Sequence, residues 1–411
     1  MNVRIGVEEE FHIVEVESGL LVPRAAPLLR RLPPDTFTSE LHRSTVESNS
    51  AVHSALDDLH ADLAHTRRQL DSAASSLGLA VLAAGTAPLA PPVSGRPSDG
   101  ARYHRMVEEY RQVAEEQLIC GAQVHVDVPD RDTAVRVMCV VSPWLPALLA
   151  LSASSPFWQG ADTGYASWRT LLWQRWPTSG PAGCYASADE YDTAVRDLVR
   201  AGVISDAGMI YHDVRPSAHQ GTLELRISDA CPRAETVVLT AALFRALVTD
   251  AQERLRTAGG SACPGRHEWL RGATWRAARA GLEGTLVDPE THRERSAAEV
   301  LTRLLERLRP ALEAHGDWDT TRALLAATVA EGSAARRLRR VAEEEDLLAC
   351  VDTLIAETRG ERRPPRRRAP AGPGHRTASR PALSAARTAA APGAGAPTPG
   401  VPVAARQALP H

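Results

Sequence analysis

The sequence predicts helices packed on a sheet over residues 1–358 and an unstructured tail over residues 359–411, and three observations predict it. First, apolar residues recur at helical spacing at Val52, Leu56, Leu59 and Leu63, and again at Val300, Leu301, Leu304, Leu305 and Leu308. Each set is the stripe of an amphipathic helix facing a core. Second, GVEEEFHIV from Gly6, LAVLAAGT from Leu79, AQVHVDV from Ala122 and GTLELRIS from Gly221 have the alternation and β-branched content of strands. Third, the segment beginning RGERRPPRRRAPAGPGHR at Arg359 is built of Pro, Ala, Gly and Arg. With almost no large apolar side chains, it has too little surface to bury to offset the entropy of ordering.

Three of the strands share an unusual polar face. Successive side chains of a strand point to opposite sides, so Glu8, Glu10 and His12 lie together while Val7, Glu9, Phe11 and Ile13 lie opposite. In AQVHVDV, Gln123, His125 and Asp127 oppose Val124, Val126 and Val128; in GTLELRIS, Thr222, Glu224, Arg226 and Ser228 oppose Leu223, Leu225 and Ile227. A solvated outer face of an antiparallel sheet is the ordinary meaning of such alternation. Such a face carries mixed polar residues, whereas here carboxylates and a histidine recur at strand centres.

Composition narrows the chemistry. The 411 residues contain no lysine, so all 47 basic residues are arginine. That excludes a Walker-type phosphate loop, a Schiff-base lysine and a lysine nucleophile, and leaves arginine and metal to handle any phosphate. A GC-rich codon bias is the ordinary cause of the absence, and the exclusion holds either way. The tail has ten arginines against the single acid Glu361, a charge of +9, which leaves −12 on the body within the net −3. Basic runs such as RRPPRRR lack the interleaved aromatics of a nucleic-acid binder, so a solvated tail is expected. The six cysteines show no CxxC pair and read as reduced and structural, with neither zinc site nor disulfide framework. No stretch reads as a membrane span of roughly 20 apolar residues, and the N-terminal stretch lacks a secretory pattern, so a cytoplasmic location is expected.

Carboxylates gathered at close range repel, and a sheet face lined with them is stable only if cations neutralise it. Oxygen-rich sites with one imidazole suit magnesium or manganese. Glu40 and Glu47 in ELHRSTVESNS add a second acidic pair, though a spacing of seven fits two helical turns or opposite strand faces equally well.

GVEEEF, the Glu40 to Glu47 spacing, CGAQVHVDVPD, SSPFWQGADTGYASWR, DVRPS, GTLELRISD and WRAARAGLEG follow one another in this order. Together they resemble the bacterial type 2 glutamate–cysteine ligase-like proteins, a family of carboxylate–amine ligases, over residues 3 to 290. The resemblance implies an α+β, glutamine-synthetase-like fold in which a curved, mainly antiparallel sheet forms a funnel with helices packed outside. It implies ATP-dependent joining of a carboxylate, commonly the side chain of glutamate, to an amine such as cysteine through an acyl phosphate, with Mg2+ or Mn2+ as cofactor. By the family's pattern Glu8, Glu10, Glu40, Glu47, His125 and Glu224 match metal ligands. Arg226, two residues beyond Glu224 on the same face, is placed to hold a phosphate or carboxylate and is taken with Arg169 as catalytic; Arg169, Arg215 and Arg279 match basic positions of the family and are the candidates for nucleotide phosphates. Ala87 and Gln123 stand where related chains often have histidine, Asp127 replaces a glycine and Ala273 an asparagine.

Structural ion pairing is the competing reading for Arg215 and Arg279. Ser154, Ser155 and Pro156 read as a turn, and Trp158 and Trp168 as core. The expected partners are small molecules, with neither membrane nor nucleic acid; a homo-oligomer is compatible with the sequence. Two alternatives to a ligase stay open: a catalytically degraded metal- or nucleotide-binding protein of the same fold, and a metal-dependent hydrolase.

Overall fold

Strand β1, Ile5–Glu15, organises the sheet. It pairs antiparallel with β3 (Thr45–Asn49) over Glu8–His12, with β5 (Ala122–Asp127) over Ile5–Glu9, and with β4 (Leu79–Leu82) over His12–Glu15. With β2 (Phe37–Ser39), β6 (Val214–Pro216) and β7 (Thr222–Leu225) it forms a seven-stranded sheet of order β2-β3-β1-β5-β7-β6, with β4 attached to β1. This computed structural model describes residues 3–90, 96–218, 220–257 and 267–361. They fall in one unit, residues 1–364; residues 365–411 form a second. The expected disordered tail lies almost wholly outside the described residues. Arg359, where it was expected to begin, is still tied to the body through Asp71 at 2.7 Å.

The apolar faces of the strands make the main core. Ile5, Val7, Val124, Val126, Leu223 and Leu225 are buried in one cluster with the helices Arg131–Val141, Leu145–Ser152 and Ala234–Thr257. Glu9 shares this buried side, and its charge is met there by Arg67 of the helix Leu56–Ser75, with Nη2 donating at 2.5 Å and Nε at 3.2 Å. The helix Ala297–His315 buries the predicted stripe from Val300 to Leu308. Its ends are set locally, by a capping box between Ser296 and Glu299 and by Gly316 at φ 76°.

Several expectations are corrected. Val52 precedes the first stripe's helix, which starts at Leu56, and is exposed. The run Arg131–Ser152 is long and apolar enough to cross a membrane by length and composition, but 83% of its apolar 18-residue stretch is buried inside the fold, where it serves as core. Cys139 and Cys184 form a disulfide that joins the helix Arg131–Val141 to the segment before the helix Ala188–Arg200. Sequence spacing could not show this, because a separation of 45 residues is closed only by tertiary packing. Cys120, Cys231 and Cys350 are buried and outside that disulfide, and Cys263 lies outside the described residues.

Candidate active site

The polar side of the sheet opens into a cavity of about 270 Å³ whose wall includes Glu8, Glu10, Glu40 and Glu47. Strand register assembles it. Glu10 on β1 lies opposite Glu47 on β3, Glu8 opposite Gln123 on β5, His125 opposite Glu224 on β7, and Glu224 opposite Arg215 on β6. Glu40 joins from the turn after β2. All six predicted metal ligands then fall into two groups, Glu10–Glu40–Glu47 and Glu8–His125–Glu224, in each of which one ligand atom per residue lies within 4.8 Å of the others.

The two groups differ in what balances their charge. Burial, then the Glu40 carboxylate, pushes Glu10 up to about 7, against the opposing pull of Arg169. Burial and the neighbours Glu40, Glu8 and Glu10 likewise push Glu47 well above the usual carboxylate range. Glu10 accepts hydrogen bonds from Gly121 N at 2.6 Å and Gln123 Nε2 at 2.9 Å, and no arginine among the described residues bonds to it. Burial would raise Glu224 too, but Arg226 and then Arg215 outweigh it and hold the group at about 2. Arg215 grips Glu224 with Nε at 2.8 Å and Nη2 at 3.2 Å, and Arg226 Nη1 also bonds it. His125 Nε2 lies 3.1 Å from Glu8 Oε1, with Nδ1 hydrogen-bonded to Thr222 Oγ1 at 3.0 Å.

The donor set of Glu10, Glu40 and Glu47 fits a hard divalent cation, since three carboxyl groups converge with no cationic side chain among the described residues bonded to them. Glu8 and His125 offer a second set, in which Glu224 would be shared with two guanidinium groups. For an anionic substrate group, Arg169 and Arg226 both line the cavity and both keep a buried Nε–H without a hydrogen-bond partner among the described residues. Their Cζ atoms lie 5.6 and 5.7 Å from the ring centre of Trp173, so one indole carries both guanidinium groups.

The other expectations divide. Arg215 lines the cavity, but its remaining Nη1 is spent on the carbonyls of Gly208 and Ile210 at 3.0 and 2.6 Å. Arg279 does not line it. Ala277 and Ala278 turn inward on the same helix, which leaves Arg279 on the outer face, over the ring of Tyr165 at 5.6 Å. There it borders a separate cavity of about 620 Å³ with Arg276, Arg336, Arg339 and Arg340. His12, on the acidic face of β1, is enclosed beyond the cavity, and burial lowers it to about 4. Asp127 points to the surface, where Arg4 Nε meets it at 2.6 Å. Trp158 and Trp168 are half-buried and absent from the cavity wall.

Sequence reasoning missed the opposite wall, which includes Tyr103, Met106, Trp173, Trp176 and Tyr211. Trp173 was within reach, since it lies four residues after Arg169 on the helix Trp168–Trp173 and so shares its side. Gln123, expected on the polar face and as a replaced histidine, links Glu10 to Arg226, donating to the one and accepting from Nη1 of the other at 2.5 Å.

An open antiparallel sheet with the core helices on its apolar face and this acidic cavity on its polar face is the α+β arrangement expected from the sequence. A glutamate–cysteine ligase from Francisella tularensis in complex with AMP shares it, with a TM-score of 0.65 and 14% identity over 87% of this chain and 89% of that one. So does a bifunctional glutathione synthetase from Pasteurella multocida, with a TM-score of 0.63 and 16% identity over 87% of this chain and 52% of that one. The chain belongs to the glutamate-cysteine ligase family 2, which matches residues 4–357. A relative from Mycolicibacterium smegmatis named "Putative glutamate–cysteine ligase 2-2" is 51% identical over 86% of this chain and 89% of its own length. One from Frankia alni named "Putative glutamate–cysteine ligase 2-3" is 54% identical over 87% of this chain, which spans only 42% of that longer protein.

Proposed function

We propose that this protein is an ATP-dependent carboxylate–amine ligase that joins the side-chain carboxylate of L-glutamate to the amine of L-cysteine or a similar amine, releasing ADP and phosphate by way of an acyl phosphate. The observation that carries the reading is the cavity whose wall holds Glu8 and the Glu10–Glu40–Glu47 group beside Arg169 and Arg226, with His125 and Glu224 gathered on Glu8 off that wall. Glu10, Glu40 and Glu47 would hold one divalent cation, and Glu8 and His125, with a share of Glu224, a second. Magnesium bound there, with ATP, would supply charge neutralisation between phosphate and carboxylate, two anions that must meet. Arg226 and Arg169 would hold the phosphoryl or carboxylate oxygens, the planar guanidinium giving two-point contact. Arg215 would act on the reaction by fixing Glu224, and Arg279 is the candidate to reach nucleotide from outside the cavity wall. A dependence on ATP points to the cytoplasm as the compartment, and the partners are small molecules.

The test is to incubate the full chain with ATP, magnesium and a panel of amino acids and to measure ADP. ADP formed only when one carboxylate and one amine are present together supports the ligase. ADP formed without an amine indicates a hydrolase. Metal and nucleotide binding with no ADP indicates a degraded binding protein, a reading favoured by the two arginines already seated on Glu224.

A further inference from the structure

Behind the cavity wall lies Asp229, a fully enclosed carboxyl that does not line the cavity. Its Oδ2 accepts from Ser155 Oγ at 2.7 Å and Ser154 N at 3.0 Å, and its Oδ1 from Ser167 Oγ at 2.7 Å. The two hydroxyl contacts lead to Arg169. Ser167 caps the helix Trp168–Trp173 by accepting from Thr170 N, and Ser155 Oγ accepts from Arg169 N at 3.1 Å. Arg169 Nη1 itself stands 4.0 Å from Asp229 Oδ1. The carbonyls of Ile227 and Arg226 take Nη1 and Nη2 at 3.2 Å each, and Trp173 lies under the guanidinium.

Two glycines make room for this arrangement. A Cβ at Gly121 would lie 2.6 Å from Arg169 Nη2, and one at Gly85 would lie 2.6 Å from the Asp229 carboxyl. Arg169 is therefore held between a carboxyl behind it and the acidic cavity in front, where its charge acts on Glu10, with Asp213 also in its field. Buried charges at this range interact strongly, so an unanchored guanidinium would move to the nearest remaining carboxylate.

We infer that Asp229 is a positioning residue: through Ser155, Ser167 and its own charge it fixes Arg169 at the wall, keeping the guanidinium off Glu10 and its charge directed at an anionic substrate group in the cavity. The part played in turnover rests on the proposed ligase reading; the coupling between Asp229 and Arg169 does not. The test is a double-mutant cycle in the full chain with Asp229→Asn and Arg169→Met. In unfolding without divalent cations, Asp229→Asn should lower Tm by about 5 °C when Arg169 is present and by less than about half that in the Arg169→Met background. In turnover it should lower kcat/KM by ~10²-fold and raise the magnesium concentration for half-activation, with no further loss in the double variant. Gly121→Ala presses directly on the guanidinium and should reproduce the kinetic signature only where Arg169 is present. Should Asp229→Asn not fold, the Gly121→Ala cycle carries the test. Additive Tm losses, or equal kinetic losses with and without Arg169, would overturn the inference. If the wild-type chain makes no ADP with any pair, the ligase reading fails and the unfolding cycle alone decides this one.

Discussion

Glu47 and Glu224 are glutamates on one face of one sheet, with two strands between them, and their surroundings drive them in opposite directions. Glu47 faces Glu10 and Glu40 and is pushed toward the protonated form; Glu224 is gripped by Arg215 and Arg226 and stays ionised. Burial acts on both in the same sense, so the neighbours decide. A buried carboxylate met by guanidinium groups is balanced within the chain. A cluster of carboxyls alone has to take up protons or a cation, and that is the physical meaning of a metal site.

The largest effects expected are on turnover. Glu10→Gln and Glu47→Gln should each lower kcat/KM by ~10³-fold, the loss of several kcal/mol of cation-borne stabilisation, without lowering the metal-free Tm. A clear fall in Tm for both would show that the cluster is structural and remove the contrast. Glu224→Gln should instead cost about 3 kcal/mol of stability in denaturant unfolding, since it leaves Arg215 and Arg226 buried without their carboxylate. An unchanged midpoint would mean that the arginines are satisfied elsewhere.

Arg226→Lys keeps the charge but loses the planar two-point grip of the guanidinium, and should lower kcat/KM by ~10²-fold. Full activity would reduce Arg226 to a diffuse positive charge. The two groups should also separate by pH. Glu10 titrates near 7 when folded against 4.5 ordinarily, so between those values the folded chain holds a proton the unfolded chain has released. Its contribution to stability without metal therefore falls as pH rises from about 4.5 to about 7. Glu224 does the reverse, stabilising fully above about 4.5 and losing its contribution as pH falls toward about 2. Melting curves against pH, with chelator and with magnesium, read both; a neutral-side slope that persists with magnesium would contradict cation binding at Glu10. The smallest effect is expected from removing residues 362–411, which should move neither Tm nor turnover, because that sequence offers no apolar stripe.

Much of the site was legible because strands encode their faces. Glu8, Glu10, His125 and Glu224 could be placed on polar faces from a period of two, and register then brought those faces together. His12 and Asp127 obey the same period and yet leave the site, one enclosed beyond the cavity and the other at the surface, because alternation gives a side and not a position along the strand. Glu9 shows the converse, a charge on the apolar face whose partner Arg67 comes from a helix 58 residues away. Arg279 carried a motif but faces outward, since the rotation of a helix is set by what it packs on, here through Ala277 and Ala278.

The sequence by itself determined the mixed class, the apolar stripes, the acidic strand faces and the exclusion of lysine chemistry, because each is a property of neighbours in the chain. Only the tertiary structure decided that Glu40 and Glu47 meet Glu10, that Arg215 and Arg226 close on Glu224, that Cys139 reaches Cys184, and that Asp229 stands behind Arg169. Those pairings join residues far apart in the chain, and which of many charged partners meet is fixed by strand register and helix packing, which no local pattern records.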